Sequence, residues 1–210
     1  MPDLTDLIRY VAADLDDPDH LIWSASDHTL HVQRALAQYA ILNPQRAVAV
    51  LDSVAGQREY DIAHLGALDV VDVWYPFDPD APGHPPQRAR FWLIDRDTVY
   101  LDTTTPPRGT PASRIRLFYL QPHTIAGLEA AEVTTLDAAG VELIVLLATA
   151  SAAMQRCQSA IGKVNISGWT PQQLLAWASA RQAVADRAWE AMRHRLIGSG
   201  DARISWDVTI

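Results

Sequence analysis

Two histidines three residues apart, His28 and His31, with Asp27 beside them, are the nearest approach in this chain to a metal or acid–base cluster. On a helix that spacing places both imidazoles on one face, where they can share a zinc-type ion. A third ligand is not evident, Asp19 and His20 being the nearest extras, so a polar helix face is the favoured reading. Asp14, Asp16, Asp17 and Asp19 resemble a calcium loop only superficially. The required glycine and terminal bidentate glutamate are missing, and a solvated turn is expected. Ile161-Gly162-Lys163-Val164 contains the only Gly-Lys pair. A phosphate-binding loop would need glycine at Cys157, Ser or Thr at Val164, and a preceding strand. Lys163 therefore reads as a cation near a helix C-terminus, and Cys157 as a small buried apolar residue. No G-x-G-x-x-G, G-x-S-x-G or H-E-x-x-H occurs, and nothing places a Ser or Cys where it would be activated. The expectation is a protein without catalytic residues, metal or cofactor.

The elements that would carry these residues follow from periodicity. Leu4, Leu7, Ile8, Val11 and Leu15 recur at spacings of three and four, predicting a helix over 5–15 with Asp3 as N-cap. Pro18 and the clustered aspartates end it. A second helix is predicted over 25–42, started by Ser24 with Asp27 and ended by Asn43-Pro44. Its apolar face is Val32, Ala35, Leu36, Tyr39 and Ala40, and Trp23 is a packing anchor in the connection. From 46 to 121 the period falls to two, giving five or six strands near 48–50, 59–62, 68–75, 90–94, 98–102 and 115–119. Asp95-Arg96-Asp97 reads as a three-residue hairpin, and the short connections require antiparallel pairing. Loops 76–86 and 106–111 are rich in proline and glycine.

Helices return with 138–164, capped by Asp137 or Thr135, and with a helix running to about 197. In the latter, Thr170, Pro171 and Gln173 form a capping box, Trp169 staples onto Leu174, and Leu174, Trp177, Val184, Ala188 and Met192 make one stripe. The fold class is thus α+β. A helical bundle of two N-terminal and two long C-terminal helices (1–45 and 135–198) carries an antiparallel β insertion (46–122) and a strand-like C-terminal tail (199–210).

Composition bounds the rest. The chain has 210 residues, 49% apolar and 20% charged, ample for a packed core and unlike a disordered segment. The best apolar run, 141–150, is short for a membrane span and carries Glu142. No basic-then-apolar leader opens the chain, so export by that route is not expected. A single cysteine excludes an internal disulfide. The net charge of −8 argues against a protein built to grip nucleic acid. Arg181, Arg187, Arg193 and Arg195 project at different helical angles, while Arg88 with Arg90 and Arg114 with Arg116 share strand faces expected to be solvated.

Two features ask for a neighbour. Residues 141–154 are apolar on nearly every side, and their burial is completed either by the β insertion or by another subunit. Leu143, Leu146 and Leu147 are the candidate subunit interface. The tail alternates Ile204, Trp206, Val208 and Ile210 with polar residues, a pattern that pairs either with the chain's own sheet or with a partner's sheet edge. Seven tryptophans, a residue enriched at binding hot spots, favour the partner.

The ordered set of segments resembles the head–tail connector (adaptor, or neck) proteins of tailed bacteriophages and prophages. The residues that carry this are the opening helix with Trp23-Ser24-Ala25-Ser26-Asp27 leading into Leu30, Ala35, Leu36 and Tyr39, and the turn Ala55-Gly56-Gln57-Arg58-Glu59-Tyr60-Asp61. They continue with Arg90-Phe91-Trp92-Leu93, Thr98-Val99-Tyr100-Leu101 and Ile115-Arg116-Leu117-Phe118-Tyr119 before the long helices. The resemblance spans nearly the whole chain, through loose motifs. It implies no catalytic residues, self-association in a ring of commonly twelve copies beneath a portal, and a terminal extension docking onto portal, tail or stopper proteins. It also implies DNA passing through without being specifically bound, no membrane, and a place in the virion neck after assembly in host cytoplasm. The alternatives are a small metal-dependent hydrolase using His28, His31 and Asp27, or a nucleic-acid-binding regulator.

Overall fold

The computed structural model describes residues 1–81, 87–160 and 170–198. The fold is α+β, with four α-helices and two three-stranded antiparallel sheets among the described residues. It divides into a helical unit, residues 1–43 with the described chain beyond 122, and a β unit, residues 44–122. The tail residues Ile204, Trp206, Val208 and Ile210, together with Lys163, Trp169 and positions 82–86 of the first proline-rich loop, lie outside the described residues.

Each helix of the helical unit starts where a side chain satisfies its free N–H groups. For α1 (Leu4–Asp14), the Asp3 carboxylate accepts the Asp6 N–H at 2.9 Å. For α2 (Ala25–Leu42), Ser24 Oγ accepts the Asp27 N–H at 3.2 Å and Asp27 accepts the Ser24 N–H at 2.9 Å. Asp27, shorter than the usual Glu or Gln, still completes the box. For α3 (Ala138–Ala160), Asp137, not Thr135, accepts the Gly140 N–H at 2.7 Å. For α4 (Pro171–Gly198), Thr170 and Gln173 exchange bonds of 3.2 and 2.9 Å. Caps of this kind stabilise a helix by about 1 kcal/mol each.

The apolar character of α3 is met in part inside the helical unit. α1, α2 and α4 all pack on it, and 44% of its apolar stretch is buried. Ile144, Ala148, Ala152 and Ala153 are fully buried. Residues 138–159 are, by length and mean hydropathy (1.6), sufficient to cross a membrane, which the shorter run 141–150 had not suggested. Those same apolar side chains form the core with Leu7, Val11, Val32, Tyr39 and Leu136.

Of the stripe expected on α4, Leu174 is buried and Trp177, Ala188 and Met192 pack against the helical core. Ala178 and Ala185 are fully buried, whereas Val184 is 41% exposed. Ala178 and Ala185 lie seven residues apart, on one face with Leu174, and Val184 is turned 100° from Ala185. Alanines on both helices let the two backbones approach closely.

In the β unit, β1 (Gln45–Leu51), β6 (Arg114–Gln121) and β3 (Asp69–Phe77) form one sheet in that order. β2 (Glu59–Asp61), β5 (Thr98–Asp102) and β4 (Arg90–Asp95) form the other. Period-two burial is clear in β6, where Ile115, Leu117 and Tyr119 point into a core with Val70, Val73, Val99 and Leu101. The β4–β5 turn is tighter than the three-residue hairpin expected: Asp95 pairs with Thr98, leaving Arg96-Asp97 between them, and a register shift between Leu93 and Asp95 absorbs the extra residue. At Gly109, φ is +68° and an added Cβ would meet the Ala55 backbone nitrogen at 2.7 Å. The connection between β5 and β6 passes there against the β1–β2 turn, where the Gly56 N–H donates to the Pro107 carbonyl.

Candidate functional site

The two histidines do not form a polar face. Both are fully buried, because the side of α2 that carries them at positions 28 and 31 also carries Val32, Ala35 and Tyr39. His31 is held by two side chains of α3, Nε2 to Gln155 Oε1 at 2.7 Å and Nδ1 to Ser151 Oγ at 2.9 Å. With the Gln155 carbonyl oxygen facing it, Nε2 carries the proton and Nδ1 accepts from the Ser151 hydroxyl. That polarity is the one a serine nucleophile requires. Ser151, however, sits mid-helix, where backbone N–H groups are committed to the helix ladder and supply no oxyanion site. The pair works as a polar tie between α2 and α3.

Neither ring nitrogen of His28 has a hydrogen-bond partner among the described residues. The ring packs 5.2 Å from His20 and 6.3 Å from Trp23, centroid to centroid. Burial is the first cause holding both His28 and His31 below the ordinary histidine range, outweighing the Gln155 bond on His31 and the Asp17 and Asp27 charges near His28. Asp27 is occupied as the cap of α2, and its bonds to Ser24 hold its carboxyl below the usual range. Among the described residues no three His, Cys, Asp or Glu side chains converge as metal ligands.

Asp17 also departs from the solvated turn expected of its cluster. It is buried at 4% exposure, and its carboxylate accepts the N–H groups of Leu21, Ile22 and Trp23 at 2.8 to 3.2 Å. Burial by itself would raise its pKa, but the three backbone bonds prevail and keep it lowered. Asp17 thereby fixes the α1–α2 connection and seats Trp23 in the core.

The helical unit carries a groove over α3. Three helices contribute residues at i, i+4 and i+7: Leu147, Ser151 and Met154 form the floor, Arg34, Gln38 and Ile41 one wall, and Gln182, Asp186 and Trp189 the other. Two adjoining cavities of about 310 and 330 Å³ make up its length and share Gln38, Leu147 and Gln182. Of the three leucines expected at a subunit interface, Leu143 is 2% exposed inside the chain's own core. Leu147 faces the groove and Leu146 is half-buried. Cys157, expected as a small buried apolar residue, packs half-buried against the same core.

In the β unit, the face expected to be solvated is partly closed by Arg116. Its guanidinium lies 5.2, 5.0 and 5.2 Å from the ring centres of Trp74, Phe77 and Phe118. Such contacts contribute about 0.5–1 kcal/mol each at accessible positions. Trp74 Nε1–H donates to Asp72, which also pairs with Arg88 at 3.2 Å. A separate cavity of about 670 Å³ is bordered by Arg88, Arg90, Arg108 and Asp102, three cations against one carboxylate; of these Arg88 is also paired with Asp72.

No protein-family model and no characterised protein matches the chain. Sequence reasoning missed the groove and the role of Asp17. The only available signals were Ile41, an apolar residue placed off its helix's main stripe, and the aspartates within reach of the N–H groups that precede Ser24.

Proposed function

We propose that the protein is a structural connector that joins the portal of a tailed-phage capsid to the tail, acting as one copy in an oligomeric ring. The observation that carries this is positional. The segments that resemble the connector family fall in order on distinct elements: Trp23–Asp27 at the cap of α2, 55–61 in the turn entering β2, and the remaining three on β4, β5 and β6. In the turn, Tyr60 OH donates to the Gln57 carbonyl at 2.9 Å and accepts the Val54 N–H at 3.3 Å, so that Tyr acts as a clasp.

On this reading the helical unit supplies the ring and the tail, with Ile204, Trp206, Val208 and Ile210, is the docking strand for portal, tail or stopper protein. The acidic surplus suits a conduit whose wall repels DNA and lets it slide without being held. The test is co-sedimentation of the full chain with a purified portal ring. Deleting 201–210 is expected to leave the helical circular dichroism unchanged and abolish co-sedimentation; undiminished co-sedimentation would refute the docking role.

A further inference from the structure

The β unit as a whole is acidic, with ten carboxylates against eight arginines over residues 44–122. Around its cavity of about 670 Å³ the balance is reversed. Arg88, Arg90 and Arg108 border it, and Asp102 is the one carboxylate among the described lining residues. We propose that this cavity is a binding site for a small phosphate monoester.

The three cations border one cavity because β3 holds the backbone that carries them. The Tyr75 N–H donates to the Gln87 carbonyl at 3.0 Å and the Ala89 N–H to the Val73 carbonyl at 2.8 Å, which fixes the run from Gln87 into β4. On the far side of the loop, the Arg108 N–H donates to Tyr75 Oη at 3.1 Å, and Tyr75 is itself buried. The next N–H, that of Gly109, donates to Ser53 Oγ at 3.2 Å. Backbone anchoring of this kind limits how far like charges can separate, and an anion between them relieves their repulsion without a cost in ordering the loop.

The donors match the ligand in number and kind. Arg90 and Arg108 have no ion pair among the described residues, and Arg90 stands opposite Asp102 in the β4–β5 register without pairing with it. Arg88 meets Asp72 through Nε at 3.2 Å and carries two terminal amino groups besides. Whether or not Asp72 is counted, the guanidiniums keep a surplus of positive charge, suited to a monoester that carries about −1.5 to −2 near pH 7. Guanidinium groups bind phosphate oxygens in pairs. The Thr103 hydroxyl is committed to the Thr105 carbonyl at 2.9 Å, whereas the hydroxyls of Thr104 and Thr105 have no bond among the described residues and border the same cavity. They supply two neutral donors for the remaining oxygens. The volume is in the range of small organic ligands, about 300–1,000 Å³, and larger than free phosphate needs. Pro76, Ala89 and Ala112 give the organic part an apolar border. The site lies within the β unit and does not rest on the connector reading.

The experiment titrates the full chain by calorimetry with inorganic phosphate and with adenosine 5′-monophosphate, in a chloride buffer of constant ionic strength. Saturable one-to-one binding of both is expected, with adenosine alone weaker than its monophosphate by about tenfold or more. Arg90→Ala and Arg108→Ala, at exposed positions, should each weaken binding by about tenfold or more while circular dichroism stays unchanged. Arg96→Ala, in the β4–β5 turn and outside the cavity, should leave it unaltered. Asp102→Asn removes the opposing charge and should tighten binding several-fold, a gain that loss of structure cannot produce. No saturable binding of either phosphate probe overturns the proposal, as does an affinity untouched by Arg90→Ala and Arg108→Ala. Equal affinity for an oligothymidylate without terminal phosphates overturns the monoester assignment in favour of nucleic-acid backbone.

Discussion

Acidification from pH 7.5 to 5.5 should weaken the helical unit before the carboxylates begin to be protonated. His28 and His31 are wholly buried, and burial holds both below the ordinary histidine range. Their unfolded-state value is near 6.5. The folded state therefore binds fewer protons than the unfolded one. Stability is complete above about pH 6.5 and is lost as the pH falls below it. A histidine that stays wholly neutral in the fold costs at most about 1.4 kcal/mol over this interval, and the two rings together at most about 2.7 kcal/mol. For a chain of this size that corresponds to a fall in Tm of roughly 5–11 °C. The assay is thermal melting followed by ellipticity at 222 nm, at constant ionic strength, across the pH series. His28→Leu removes one titration and replaces a ring with no hydrogen-bond partner. It should remove that ring's share of the loss, at most about 1.4 kcal/mol, at little cost at pH 7.5. A Tm unchanged between pH 7.5 and 5.5, or an unaltered slope in His28→Leu, would refute the account of these rings as buried and neutral.

Asp17→Ala leaves three backbone N–H groups without their acceptor and should destabilise by about 2–4 kcal/mol, read by urea denaturation; Asp17→Asn, which keeps one acceptor oxygen, should cost less. Because the Asp17 pKa is lowered in the fold, its contribution is present above about pH 4 and is lost only as the pH falls below that value, separating it from the histidine window. Gly140→Ala would bring a Cβ to 2.7 Å from Tyr39 OH and 3.0 Å from Asp137 Oδ1. Tyr39 is fully buried and its hydroxyl accepts from Asn43 Nδ2 at 2.8 Å, so it has little room to yield, and a loss of about 1–3 kcal/mol is expected in the same denaturation assay. Arg116→Ala uncovers Trp74 and Phe118 and should cost about 1–2 kcal/mol, with a red-shifted tryptophan emission as the accompanying sign.

The sequence by itself determined the elements. Each helix start is encoded within four residues: Asp3, Ser24 with Asp27, Asp137, and Thr170 with Gln173 all cap as their types and spacing require. Strands were legible from period-two alternation, and antiparallel pairing from connections too short for a crossover. These properties are local, because a cap or a pleat is satisfied by backbone groups a few positions away.

Tertiary structure decided what each face meets, and with it the meaning of the polar residues. His28 and His31 belong to the core because their side of α2 is the one turned toward α3, where Ser151 and Gln155 bind His31 from 120 and 124 residues away. Asp17 is separated from its equally acidic neighbours only by the N–H groups of Leu21, Ile22 and Trp23 converging on it. α4 packs through Ala178 and Ala185 while Val184 faces out, since helix approach rewards small residues at the contact line and side-chain hydropathy alone does not mark that line. The groove likewise exists only because three helices bring stripes at the same i, i+4, i+7 spacing to one level. Burial and register are properties of pairs of elements, and no single stretch of chain carries them.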